Sequence, residues 1–189
     1  MKIASLAFLV VTALLFFLQF KPTIQKGQVQ PNPIISPTKP LSPPISTETL
    51  SGDGTMKATM KSQENLDGST VYSLFISDSS GKNSKNLYSK TVQKGSIELP
   101  INSWSPDDKY LFVLDKEAGD NYLVFKSNGE PFISGDKFID ATSLFKKKQP
   151  GFSLSEVTGW DGVGLMHVKA TNASFWFDID SQNFLQLAR

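Results

Sequence analysis

A ten-residue stretch, Trp104-Ser105-Pro106-Asp107-Asp108-Lys109-Tyr110-Leu111-Phe112-Val113, sets a polar turn directly against an apolar strand. Two weaker copies begin at Leu50 (Leu50-Ser51-Gly52-Asp53-Gly54-Thr55-Met56-Lys57-Ala58) and at Trp160 (Trp160-Asp161-Gly162-Val163-Gly164-Leu165-Met166-His167-Val168), so the starts are 54 and then 56 residues apart. A near-constant period of this length marks repeated β-units. Such units cannot bury their apolar faces alone and must stack on one another. The architecture is therefore expected to be all-β, built from three four-stranded units.

The segments after each turn fit that expectation. Met56, Ala58 and Met60 alternate with Lys57, Thr59 and Lys61, the period of a half-buried strand. Asp67-Gly68 then precedes the apolar run Val71–Ile76, and Asp78–Gly81 is the next turn. Tyr110–Leu114 turns through Ala118–Asn121 and returns as Tyr122–Phe125. In the third unit Leu165–Val168, Phe175–Ile179 and Phe184–Leu187 are separated by Thr171–Ser174 and Asp180–Asn183. Strand, polar turn, aromatic strand, polar turn and short strand make a meander. The segments leading into each Trp, Ile97–Ile101 and Phe152–Val157, supply a fourth strand. A short helix is expected within the insert Asp136–Gln149. Phe138, Ala141, Leu144 and Phe145 have helical spacing there, Lys146–Lys148 sit at the negative end of the helix, and Pro150-Gly151 stop it.

Trp104-Ser105-Pro106-Asp107, with Lys109, resembles the blade-opening motif of the TolB-type, WD40-like β-propellers; Asp108 stands where that family usually has Gly. The first copy keeps Ser51, Asp53 and Gly54, and the third keeps Trp160 and Gly162. The resemblance implies blades of four strands and a non-catalytic role. Propellers have four to eight blades, and three copies imply either a partial propeller completed by another chain, with a homo-oligomer as one route, or a compact antiparallel β-domain.

The first 49 residues differ in kind. Ile3–Phe20 is an uncharged apolar run behind Met1-Lys2. At ~1.5 Å per residue it covers roughly 27 Å, close to the hydrocarbon thickness of a bilayer. It is longer than the apolar core of a cleaved signal peptide and ends without an A-x-A-like site. Residues 1–21 are therefore expected to form a single transmembrane signal anchor, with the C-terminal domain extracytoplasmic. Residues 22–49 carry Pro22, Pro31, Pro33, Pro37, Pro40, Pro43 and Pro44 and read as a disordered stalk. Residues 50–189 are left for the β-repeat domain.

Composition narrows the chemistry. From Ser51 onward 15 basic residues face 17 acidic ones, a net of −2, so no basic field is offered to nucleic acid. The absence of cysteine excludes disulfides, thiol catalysis and thiolate metal sites. His167, the single histidine, lies within a strand on the side of Leu165 and opposite Met166 and Val168, which suits a structural or surface role. Asp178-Ile179-Asp180-Ser181-Gln182-Asn183 has a trace of calcium-loop spacing but lacks the Gly and the closing Glu. No catalytic residue, metal or cofactor is expected. The residues singled out are the motif residues Trp104, Ser105, Pro106, Asp107, Lys109, Trp160, Gly162, Ser51, Asp53 and Gly54, with structural roles, and Trp176 and Phe177 as ligand-facing aromatics. The expectation is an envelope scaffold or protein-interaction module. The alternatives are a glycan- or peptide-binding module and an accessory domain of a hydrolase system.

Overall fold

The computed structural model describes residues 42–188. The expected membrane anchor and all but the last few residues of the expected stalk lie outside the described residues. Among the described residues no helix is long and apolar enough to cross a membrane.

Among the described residues, twelve strands form three antiparallel sheets of four strands each, with one helix. Sheet I holds β1 (Ile45–Leu50), β2 (Met56–Glu64), β3 (Thr70–Asp78) and β4 (Lys85–Val92). Sheet II holds β5 (Ile97–Glu98), β6 (Tyr110–Asp115), β7 (Asn121–Lys126) and β8 (Phe138–Asp140). Helix α1 (Ala141–Lys148) follows, and sheet III holds β9 (Leu154–Gly162), β10 (Leu165–Ala170), β11 (Ala173–Asp178) and β12 (Asn183–Gln186). Within each sheet the strands lie in chain order, so each sheet is a meander.

Sheet II is the middle layer. Leu111, Val113, Leu123 and Phe125 project into one core with Ala58, Met60, Leu74 and Ile76 of sheet I. Phe112, Tyr122, Val124 and Ile139 project into a second core with Met166, Val168, Phe175 and Phe177 of sheet III. A strand buried on both faces cannot alternate, and for that reason β6 and β7 read Tyr-Leu-Phe-Val-Leu and Tyr-Leu-Val-Phe, whereas β2, with one face outward, alternates.

Two of the three aligned copies are the same turn bond for bond. In the first, Ser51 N–H donates to the Met56 carbonyl (2.9 Å), Met56 N–H donates to Ser51 Oγ (3.0 Å) and Ser51 Oγ–H donates to Asp53 Oδ1 (2.7 Å). In the second, Ser105 N–H donates to the Tyr110 carbonyl (2.9 Å), Tyr110 N–H to Ser105 Oγ (3.0 Å) and Ser105 Oγ–H to Asp107 Oδ1 (2.8 Å). The motif Ser is required for its hydroxyl and the Asp two residues on for its carboxylate. Bonds from the Thr55 amide, the Ser51 hydroxyl and the Thr55 hydroxyl hold the Asp53 carboxyl down at about 2. The third copy differs: Trp160 lies within β9, and Val163-Gly164 alone link Gly162 to its partner Leu165. Gly164, at φ 66°, makes that shorter hairpin possible. The alignment still holds at one point. Leu50 opposite Lys57, Trp104 opposite Leu111 and Trp160 opposite Met166 each close a first strand onto a second.

Asp108, in the place of the usual Gly, occupies the left-handed region at φ 58°, where Gly54 of the first turn sits at 70°. Its carboxylate reaches the other turn: Oδ1 accepts from Gly52 N–H (2.7 Å) and Oδ2 from Asp53 N–H (3.1 Å). The departure from Gly thus clips sheet II to sheet I. Asp108→Gly is expected to destabilise by about 2 kcal/mol although it relieves the backbone, because two bonds to a carboxylate are lost. Asp108→Ala is expected to cost about 1 kcal/mol more, since Ala keeps the φ penalty. Urea denaturation measures both; a neutral Asp108→Gly would show that the clip contributes nothing.

Three expectations are corrected. The segments leading into each Trp do not complete the preceding unit but open the next: β5 pairs with β6, and β9 with β10. Strand β5 stops at Glu98 because Pro100 has no N–H to continue a ladder. By the same logic the first sheet needs an opening strand, and it is β1, which begins at Ile45 within the expected stalk. Finally, Phe138 belongs to β8, paired with Phe125, and the helix starts only at Ala141. Asp140 caps it by accepting from Ser143 N–H (2.8 Å), and Ala141 and Phe145 bury its inner side.

Candidate functional site

Strand alternation in sheet III decides which side chains reach solvent. Met166, Val168, Phe175, Phe177 and Phe184 turn inward. The intervening residues turn outward, and strand register places His167, Trp176 and Leu185 side by side across β10, β11 and β12. Trp176 is half-buried, Leu185 is 53% exposed, and Leu165 lies two residues from His167 on the same side. Trp176 Nε1–H donates to Asp161 Oδ2 (2.7 Å), which fixes the indole. Thr158 Oγ1 and His167 Nδ1 share a hydrogen bond of 2.5 Å. The result is a row of imidazole, indole and aliphatic side chain with the Asp161 carboxylate at its border.

The outer face of sheet I is different. Lys57, Lys61, Gln63, Ser73 and Ser89 share it, and its one aromatic, Phe75, lies under Lys61 Nζ at 5.1 Å. The shallow depression there, of about 190 Å³, is lined by Pro44, Val71 and Phe75 among polar neighbours. The outer face of sheet I also carries Leu50, 55% exposed and opposite Lys57, so what distinguishes sheet III is the outward indole of Trp176 beside Leu185.

The residues singled out from sequence separate cleanly. Trp104 is 9% exposed and fills the core between sheets I and II. Ser105, Asp107, Ser51, Asp53 and Gly54 build the two equivalent turns, with Pro106 exposed and Lys109 Nζ paired with Asp107 at 3.1 Å. Trp160 stacks on Tyr110 at 6.2 Å and donates from Nε1 to the Ser103 carbonyl (2.9 Å), joining sheet III to the turn of sheet II; Gly162 ends its strand. Of the two expected ligand-facing aromatics, Trp176 faces outward. Phe177 does not: it is fully buried and stacks on Phe184 at 4.5 Å, because adjacent residues of a strand point to opposite faces.

Sequence reasoning missed Tyr110 as a joint. Its ring stacks between Phe132 (6.3 Å) and Trp160 (6.2 Å), and its hydroxyl donates to Asp180 Oδ1 (2.9 Å). Burial first, and then the Asp180 carboxylate, push its phenol up to about 12. Its place at a strand start hid this role, since the contacts come from residues far away in sequence. Missed too was Asn102, whose amide donates to the Thr158 carbonyl beside Gly159.

As for metals, Asp178 Oδ1 accepts from the Asp180 and Ser181 amides (3.0 and 3.2 Å), which is turn chemistry. Among the described residues no three His, Asp or Glu side chains come together as a metal site. Comparison with family models, with curated proteins and with solved structures finds no match for this chain.

Proposed function

We propose that this chain is a non-catalytic interaction module of the cell envelope, presenting the outer face of sheet III to a protein partner. The observation that carries the reading is the row His167–Trp176–Leu185, which sets an outward indole beside an exposed leucine on one sheet face. A largely aromatic row set on a hydrogen-bonded sheet is a recognition surface with little conformational entropy left to lose on binding. His167, the one residue on which a triad could rest, bonds through Nδ1 to Thr158 Oγ1, and among the described residues no carboxylate bonds to its ring. The envelope part of the reading rests on Ile3–Phe20 as a membrane anchor and on the Pro-rich segment behind it. A relation to TolB-type propeller blades is supported by the two equivalent Ser-x-Asp turns and by the succession of four-stranded meanders. A second reading, glycan binding, is favoured by Trp176 alone, since an outward indole held by Asp161 is a stacking platform for a sugar ring.

Site-specific photocrosslinking in cells tests the first reading. A photoreactive residue in place of Leu185 is expected to give a discrete protein adduct, and the same residue in place of Ser89, on the outer face of sheet I, is expected to give none. Trp176→Ala should abolish the Leu185 adduct. An equal adduct pattern from both positions would overturn the assignment of the face. A polysaccharide pull-down lost in Trp176→Ala, with no protein adduct at Leu185, would turn the reading to glycan. Protease added to intact cells is expected to degrade the domain; full protection would place it inside and remove the envelope reading.

A further inference from the structure

Three loops at one end of the domain carry large aliphatic side chains in nearly full contact with water. Ile101, between β5 and β6, is 96% exposed; Ile133, between β7 and β8, is 100% exposed; Val163, at the tip of the β9–β10 hairpin, is 62% exposed. Single exposed aliphatics are ordinary on protein surfaces. These three are not scattered. Phe132, next to Ile133, stacks on Tyr110, and Tyr110 stacks on Trp160 of the strand that ends in the Val163 hairpin. Trp160 Nε1–H is bonded to the Ser103 carbonyl, two residues from Ile101, and Asn102 is bonded to Thr158 of the same strand. A partly buried aromatic stack thus ties the three loops into one support, with the aliphatic tips outside it.

The border of this surface is acidic. Asp107, Asp161, Asp178 and Asp180 lie at the same end. Hydrogen bonds from Ser105 and Lys109 outweigh burial and hold the Asp107 carboxyl below its ordinary range, so it is charged at neutral pH. Lys109 pairs with Asp107 (3.1 Å), Lys126 and Lys148 keep their charge on the Pro131 and Gln182 carbonyls (3.0 and 2.7 Å), and Lys137 shares the Ile133 loop with Glu130 and Asp136, so that among these groups six carboxylates stand against four lysines. Strand β1 runs from Ile45, opposite Ser62, to Leu50, opposite Lys57, so the chain enters sheet I at the opposite end from these loops.

We propose that this loop end is a second docking surface, distinct from the face of sheet III, and that its occupant is a cationic polypeptide segment carrying aliphatic side chains. Exposed aliphatic tips call for an apolar counterpart, and the carboxylate border selects lysine- or arginine-bearing partners over acidic ones. The same border repels the anionic surface of a bilayer, so a protein segment is favoured over lipid.

The test uses the full chain in a non-ionic detergent and a dye-labelled probe peptide of sequence Gly-Lys-Leu-Ser-Lys-Val-Lys-Gly, followed by fluorescence anisotropy. The charge-reversed peptide, with Glu for each Lys, is the control. The cationic peptide is expected to bind at least about tenfold more tightly than the control, and to weaken severalfold as salt rises from about 50 to about 300 mM. Ile101→Ser with Ile133→Ser should weaken it about tenfold, the equivalent of one aliphatic side chain left unburied. Both positions are solvent-exposed, so the double variant should melt with the wild type, and the loss is then one of binding. Leu185→Ser should leave the peptide affinity unchanged, which separates this surface from the face of sheet III. Equal binding of the two peptides, undiminished binding by the double variant, or loss on Leu185→Ser would each overturn the proposal. So would capture of the chain by phosphatidylglycerol vesicles through Ile101 and Ile133, with no peptide binding, which would make the surface a lipid one.

Discussion

Phe125→Ala is expected to destabilise the domain by about 3–5 kcal/mol, the range for removing a fully buried aromatic ring. Phe125 is 1% exposed, lies between sheets I and II, and contacts Tyr88 at 5.4 Å and Phe138 at 5.6 Å. Three surrounding elements, β4, β6 and β8, are fixed by strand hydrogen bonds and cannot collapse far into the void. For a domain of this size each kcal/mol lowers the melting temperature by roughly 2–4 °C, so a drop of about 10 °C or more is expected. Phe75→Ala is the control. Phe75 points outward from sheet I under Lys61, and its loss should cost less than about 1 kcal/mol. Thermal melts of the two variants decide the matter. Equal losses would mean that sheet II is not the doubly covered middle layer on which the fold depends.

That layering was half legible in the chain. The unbroken apolar runs at Tyr110–Leu114 and Tyr122–Phe125 announce strands covered on both sides, and the alternation at Met56–Lys61 announces one covered on a single side. The repeat of Ser-x-Asp at an offset of 54 residues corresponds to two turns with the same bonds. What escaped was the frame of the repeat. Each sheet begins with the strand before the turn, and those strands are poor in the usual signals. Strand β1 reads Ile-Ser-Thr-Glu-Thr-Leu, is exposed along most of its length and follows Pro43-Pro44, so its composition matches a linker. It is a strand because β2 offers a free edge, and backbone pairing, joined by the Glu48–Lys57 ion pair (3.0 Å), holds it there.

The candidate surfaces were legible in a similar, partial way. Period two separates Trp176 from Phe177 once β11 is known to have a single buried face, yet a run of Phe-Trp-Phe by itself does not say which ring is outside. Nothing local marks Ile101 and Ile133 as neighbours of Val163. Their association is carried by the Phe132–Tyr110–Trp160 stack, whose members are 22 and 50 residues apart. Asp108 could be noticed as a departure from Gly, but its partners, the amides of Gly52 and Asp53, lie in another repeat and follow only from the stacking of sheets I and II.

The second large effect is expected at Lys90. Its Nζ lies 2.7 Å from Asp115 Oδ2 and 2.7 Å from Glu117 Oε2, joining β4 of sheet I to the end of β6 in sheet II. Burial pulls its pKa down, but the hydrogen bonds to Asp115 and then Glu117 outweigh that and leave it above the ordinary lysine value. Asp115 keeps only 5% of its side chain exposed. Lys90→Met preserves the aliphatic stem and strands that carboxylate in the interface. The expected cost is about 2–3 kcal/mol for the Lys90–Asp115 pair, below the 3–5 of a fully enclosed one because Lys90 still reaches solvent. The pH dependence fixes the mechanism. The Lys90 bond holds the Glu117 carboxyl below its usual range, so that contribution is present above the unfolded value of about 4.3 and fades as pH falls through the lower folded one. The raised pKa of Lys90 gives the opposite limb: its contribution is complete below about 10.4 and is lost only as pH climbs beyond that. Chemical denaturation of wild type and Lys90→Met is therefore expected to show a stability gap that is constant through neutral pH, narrows below about pH 4 and narrows again in strong alkali. A gap that does not change with pH would assign the loss to packing of the stem and remove the ion pair as the join between the two sheets.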